Sequence, residues 1–209
     1  MKSTSIILRQ WQDEDLEQFA AMNADEEVMR FFPKLLTKEE SQGFFTRARA
    51  GIDDRGWGFW AVEVDGVFAG FTGLAEPKFA AHFTPCVEIG WRFRREYWGR
   101  SIAYTAALAA ESFAFEKLNL PDLVSFTAAI NTRSRRLMER LGFSRNEKED
   151  FQHPALSEDS PLRLHVLYRK RQDQALHSDG SPRGVFASAA IKSTGSVTGA
   201  ACAASEHPP

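Results

Sequence analysis

The 209-residue chain holds only two cysteines, Cys86 and Cys202, too few for a disulfide framework, so a reducing compartment is the default expectation. It has no long apolar run. The N-terminal MKSTSIILRQWQDEDLEQF is too weakly apolar for a signal peptide, and nothing approaches the roughly 20 apolar residues of a membrane helix. It lacks an excess of one charge. With 26 basic and 28 acidic residues the formal charge is −2, which disfavours a nucleic-acid partner. His82, His153 and His165 lack metal-ligand spacing, so no metal is expected and structural roles are assigned to all three. These absences point to a cytoplasmic protein with no membrane partner. The last absence is local. From Gln172 to Pro209 the one aromatic residue is Phe186, and 20 of the 38 residues are Ala, Ser, Gly or Thr. So little apolar surface does not offset the entropy of ordering. Residues 172–209 are therefore expected to be a disordered low-complexity tail, and residues 1–171 one domain with a substantial core.

What is present alternates between strand and helix patterns. Ser5–Arg9 reads as a short strand. Asp13–Met22 reads as a helix with acids in its first turn, and a second short helical piece, Glu26–Phe32, stops at Pro33. Thr37-Lys38-Glu39-Glu40 is a capping box opening a helix to about Asp53. Gly58–Val64 and Val67–Leu74 flank Asp65-Gly66, a strong hairpin signal. Residues 76–85 read as a loop. Val87–Phe93 is a further strand, followed by a helix from about Arg100 to Lys117. Leu123–Ile130 is strand-like, and Ser134–Leu141 is a helix ending at Gly142, well placed to follow its C-terminus. Arg163–Arg169 alternates as a last strand. The predicted class is α/β (α+β), one mixed sheet with helices on both faces.

Three stretches carry chemistry. In WGRSIA, residues 98–103, a strand passes through small residues straight into a helix, with Arg94, Arg95 and Arg100 nearby. A helix start offers unpaired N–H groups and partial positive charge, a setting suited to phosphate, with a solvated strand-to-helix turn as the plainer reading. In NTRSRRLMERLGF, residues 131–143, Asn131 ends a strand and either caps the next helix or bonds a ligand amide; Leu137 and Leu141 face the core. In VEIGW, residues 87–91, Glu88 lies on the face opposite Val87, Ile89 and Trp91, either on a wet face or in a cleft as a base.

Together these stretches resemble the GNAT superfamily of acetyl-CoA-dependent N-acetyltransferases, and most resemble its RimJ/RimL-type branch of ribosomal-protein N-terminal acetyltransferases. The resemblance spans about Ser5 to Lys170 and rests on EIGWRF–REYWG, on Trp98-Gly99-Arg100-Ser101-Ile102-Ala103 against the coenzyme loop, and on NTRSRRLMERLGF. Ser101 stands where that loop has a central glycine, and Met138 where many members have a general-acid tyrosine. The resemblance implies a V-shaped gap between the strands at Val87–Phe93 and Leu123–Ile130. Acetyl-CoA would be the acetyl donor. Its pantetheine would run along the edge at Trp91, Arg92 and Phe93, and Asn131 would reach its far side. Its pyrophosphate would lie on the N–H groups of Gly99, Arg100, Ser101, Ile102 and Ala103, with Trp98 opening the loop and Arg94, Arg95 or Arg100 alongside. Glu88 would be the base, Ser134 the group near the leaving thiolate, and a backbone N–H near Phe93 the oxyanion donor.

The acceptor expected on this resemblance is a primary amine, a peptide N-terminus or a small molecule, with RFFPKLLT (residues 30–37) bordering it. Two other readings stand beside this one: an enzyme detoxifying an amine antibiotic or metabolite, and a CoA-binding sensor without catalysis. A monomer and a homodimer are both compatible with the sequence.

Overall fold

The computed structural model describes residues 4–173 and 189–192. Strand β1 (Ile6–Arg9) leads into helices α1 (Asp15–Asn23), α2 (Glu26–Met29) and α3 (Lys38–Arg55). The hairpin β2 (Phe59–Val64) and β3 (Val67–Ala75) follows, then β4 (Glu88–Phe93) and α4 (Ile102–Ser112), which runs on through a π-helical turn at Phe113–Lys117. Strand β5 (Asp122–Ala128), helix α5 (Thr132–Arg140), the two-residue strands β6 (Ser144–Arg145) and β7 (Phe151–Gln152), and β8 (Leu164–Arg171) complete the domain.

Local chemistry accounts for the boundaries. Thr37 accepts from the Glu40 N–H and Glu40 accepts from the Thr37 N–H, so the capping box closes as its sequence predicts. Asp65 and Gly66 both adopt positive φ, the turn that matches strand twist in a two-residue hairpin. Gly142, at φ 86°, follows α5, and the Phe143 N–H reaches back to the Met138 carbonyl at 3.0 Å, as in a Schellman ending.

Among the described residues the sheet runs β6-β8-β5-β4-β3-β2-β1, with β7 on β8, and it is mixed. Helix α4 packs on one face against β3 and β4, and α1 and α3 cover the other. The α1/α3 face is built on Trp11, which meets Phe19, Phe45, Phe68 and Phe71 with ring centroids 5.0 to 6.1 Å apart. Beneath α4, Ala106, Ala107 and Ala110 are buried against Ile89 and Phe93; alanines let the helix sit close on the sheet.

The expectation of a wholly disordered tail needs correction at two places, the first being Gln172, whose backbone N–H donates to the Pro121 carbonyl at 3.0 Å. Ala189–Ile191 forms a strand, β9, parallel to β1, and the Lys192 N–H donates to the Leu8 carbonyl at 2.8 Å. The edge of β1 offers unpaired backbone groups, and a small-residue segment satisfies them without needing a side-chain core of its own. The remainder of the expected tail, residues 174–188 and 193–209, lies outside the described residues, as does Cys202. No helix among the described residues is long and apolar enough to cross a membrane.

Candidate active site

The site begins where the sheet comes apart. Strands β4 and β5 are parallel but share one ladder step, Glu88 opposite Val124, with the Val124 N–H donating to the Val87 carbonyl at 3.1 Å. One residue further the Ser125 hydroxyl donates to the Ile89 carbonyl at 2.9 Å. Beyond that the strands diverge. Because Val87 and Ile89 turn their carbonyls toward β5, alternation turns the N–H and C=O of Trp91 and Phe93 into the gap. The Trp98 indole takes up the Phe93 carbonyl at 2.9 Å. The gap widens into a cleft of about 660 Å³.

One end of the cleft is the start of α4. Gly99 has φ 72° and Ser101 φ 58°, so the loop turns through two left-handed residues before the helix. No side chain caps the α4 N-terminus, which leaves its first N–H groups facing the cleft. Ser101 thus adopts the conformation glycine favours, at a cost on the order of 1 kcal/mol. Its hydroxyl accepts from Arg140 at 3.2 Å. Trp91, Phe93, Trp98, Gly99, Ser101, Ile102 and Ala103 all border the cleft, as do Asn131 and Ser134 on the opposite lip. Asn131 caps α5 by accepting from the Ser134 N–H at 3.3 Å and donates to the Thr127 hydroxyl at 2.9 Å.

The structure corrects four arginine assignments, and the first is Arg95, which is exposed, pairs with Asp25 at 2.9 Å and does not line the cleft. Arg94 turns away from the cleft, donating to Gln18 and to the Phe68 carbonyl and pairing with Glu96. Arg100 is exposed over the Tyr97 ring and does not line the cleft. The Arg92 side chain does line it, but on the α1/α3 face, away from α4: its guanidinium donates to Asn23. The cations at the α4 end instead come from α5. Arg133 stacks on Trp98 at 4.0 Å, Arg140 on Tyr104 at 4.0 Å, and Arg136 borders the same space. Their i, i+3, i+7 spacing in TRSRRLMER was the available signal, masked because such a run also reads as a solvated face. Leu141 is buried as expected and Leu137 packs against the core while also bordering the cleft, half-buried; Met138 is the more deeply buried of the two neighbours.

Glu88 lies on the α1/α3 face of β4 and opens onto the cleft. It makes no hydrogen bond or ion pair among the described residues, and burial pushes its carboxyl up to about 7. Such a group exchanges a proton near neutrality. Cys86, close by, is no nucleophile: burial and the Glu88 charge raise its thiol to about 11. Pro33, Phe31, Phe32 and Phe59 line this side, as the RFFPKLLT loop predicts, whereas Trp60 is core. His153 and His165, expected to be structural, also reach the cleft wall beside Phe126. Their rings lie 4.8 Å apart, and burial lowers both, His165 to about 4, so both are neutral at pH 7.

A strand gap, a left-handed loop at a bare helix start and a lone carboxylate thus meet in one cleft of a mixed α/β fold, and comparison with known proteins gives the family. The sequence profile of the family described as "Acetyltransferase (GNAT) domain" matches residues 5–144. The chain belongs to this family. A relative from Aspergillus fumigatus, FsC-acetyl coenzyme A-N(2)-transacetylase, is 29% identical over 150 residues, 66% of this chain. The match spans 63% of that relative, less than two thirds of its length. Among solved structures, a GNAT-family acetyltransferase from Bacillus anthracis superposes with a TM-score of 0.65 at 21% identity, over 83% of this chain and 98% of its own. The spermidine N-acetyltransferase of Vibrio cholerae, in complex with CoA and spermine, has a TM-score of 0.65 at 18% identity, over 83% of this chain and 98% of its own. At these identities the structures establish the fold.

Proposed function

We propose that this protein is an acetyl-CoA-dependent N-acetyltransferase that moves the acetyl group directly to a primary amine, as in the RimJ/RimL-type branch it resembles. One observation carries the reading: the gap between β4 and β5 opens at Glu88, so an unpaired carboxylate stands where the two strands part. The donor side fits the residues present. Bare N–H groups at α4, backed by Arg133, Arg136 and Arg140, suit a pyrophosphate, and no acidic residue of the cleft wall other than Glu27 and Glu88 opposes it. The free edge at Trp91 and Phe93 suits an amide-bearing pantetheine arm.

Acetyl-CoA supplies an activated acetyl group: the N–C bond forms as the C–S bond breaks. Glu88, through water, takes the proton that the attacking amine loses. The Phe93 N–H meets the charge that develops on the carbonyl oxygen. Ser134, on the lip opposite, offers its hydroxyl as a hydrogen-bond donor to the departing thiolate, which takes its proton from solvent, a modest demand because a thiolate is already a tolerable leaving group near neutral pH. Met138, buried, has no proton to give.

Calorimetric titration of acetyl-CoA, with dephospho- and desulfo-CoA as controls, tests the donor site. Micromolar-range binding that weakens when a phosphate is removed is expected, followed by thiol release with an amine panel. A folded protein that binds no acetyl-CoA at millimolar concentration would overturn the reading.

A further inference from the structure

The acceptor side of the cleft holds a charge that proton transfer does not need. Arg92 is half-buried on β4, two alternations beyond Glu88 on the same face. Its guanidinium lies over the Phe32 ring at 3.9 Å and the Phe71 ring at 5.4 Å. One Nη donates to Asn23 Oδ1 at 2.6 Å. Asn23, fully buried, is oriented in turn by donating to the Ser41 hydroxyl at 3.1 Å. Three elements therefore fix where this cation stands. Its Nε is buried with no partner, and it forms no ion pair among the described residues. Burial lowers it to about 10, which still leaves it charged at pH 7. A fixed cation among phenylalanines without a counter-ion is costly unless an anion arrives.

We propose that Arg92 anchors a carboxylate of the acceptor, so that the protein acts on amines that also carry a negative group, with the amine presented toward Glu88 and an apolar portion against Phe32 and Phe59. This rests on the acetyltransferase reading and narrows it: the same charge repels polycationic amines. The carboxylate has two possible sources, a free amino acid or an acidic residue near a peptide N-terminus.

Matched pairs separate these sources. L-Phenylalanine is compared with L-phenylalaninamide, and the tripeptide amide Asp-Ala-Ala with Ala-Ala-Ala, by kcat/KM with acetyl-CoA. The carboxylate-bearing member of at least one pair is expected to lead by about tenfold or more, the worth of a charge-assisted bond. Arg92→Met should erase that lead while leaving acetyl-CoA affinity unchanged, and Arg92→Lys should restore part of it. Binding of N-acetyl-L-phenylalanine against N-acetylphenethylamine, and of the N-acetylated tripeptide amides, gives the same comparison without turnover and in the wild type alone, should Arg92→Met not fold. Equal use and equal binding of both members of both pairs, by a protein that binds acetyl-CoA and turns over, would overturn this proposal and leave the acetyltransferase reading standing. Failure to bind acetyl-CoA would remove both.

Discussion

Glu88 combines two opposed demands. Its carboxyl is held near 7 by burial, so its deprotonated fraction should rise tenfold per pH unit below about 7 and level off above, and kcat/KM at saturating acetyl-CoA, divided by the free-amine fraction of the acceptor, should follow it. Glu88→Gln should lose this limb and most turnover while binding acetyl-CoA as before; full activity would remove Glu88 from the mechanism. The same shift carries a stability cost. Between its unfolded value near 4.5 and about 7 the folded chain holds more protons at this site, so stability falls as pH rises through that window. At pH 8 Glu88→Gln should be more stable than the wild type by roughly 2 kcal/mol, with cleft water discounting the full shift, and at pH 4 the two should coincide in urea melts. Ser101 makes a second residue-scale case. Ser101→Gly relieves left-handed strain but loses the Arg140 bond, whereas Ser101→Ala keeps the strain and loses the bond. The glycine variant should therefore exceed the alanine variant by about 1 kcal/mol in denaturant midpoints, and equal stabilities would contradict the φ of 58°. Strand alternation alone places Glu88 opposite Ile89 and Trp91. It could not say where Arg92 and Arg94 reach, because that depends on Asn23 and Gln18 of α1, about 70 residues earlier.

At the scale of elements, the cations of the donor site belong to one helix. Arg133→Ala should weaken acetyl-CoA binding several-fold to tenfold, whereas Arg94→Ala should leave it within twofold, by titration calorimetry. The reverse order would mean that the arginines before α4, not those of α5, meet the phosphates. The long elements were legible because each carries its own punctuation: Thr37 and Glu40 for α3, Asp65-Gly66 for the hairpin, Gly142 for the end of α5. Strands β6 and β7, two residues each, are too short for a period of two to show. The π-helical turn closing α4 has no counterpart in the hydrophobic pattern, which reads Arg100–Lys117 as one helix.

At the scale of the molecule, β9 extends the sheet beyond β1 from a segment whose composition offers no core. The Lys192 N–H faces β1, so alternation turns the Ala190 N–H there too. Ala190→Pro removes that donor and should lower Tm by a few degrees, on the order of 1–2 kcal/mol, without changing acetyl-CoA affinity. An unchanged Tm would mean that the pairing adds nothing in solution. Composition spoke of the segment as a whole, while the contact is made by one short stretch whose backbone pairs with β1 and whose Ala189 and Ile191 pack against the core, which is why it could not be foreseen.

The single ladder step at Glu88 and Val124 divides the sheet into two plates, β1 to β4 on one side and β5 to β8 on the other, joined by a seam only a residue or two long. The carboxylate assigned to proton transfer stands where the pairing between β4 and β5 is reduced to a single step. A molecule seated in the gap and touching both lips acts as a rivet across it. Opening the cleft to bulkier acceptors by trimming Ser125, whose hydroxyl bonds the Ile89 carbonyl, would therefore loosen the join between the plates as well as enlarge the space between them.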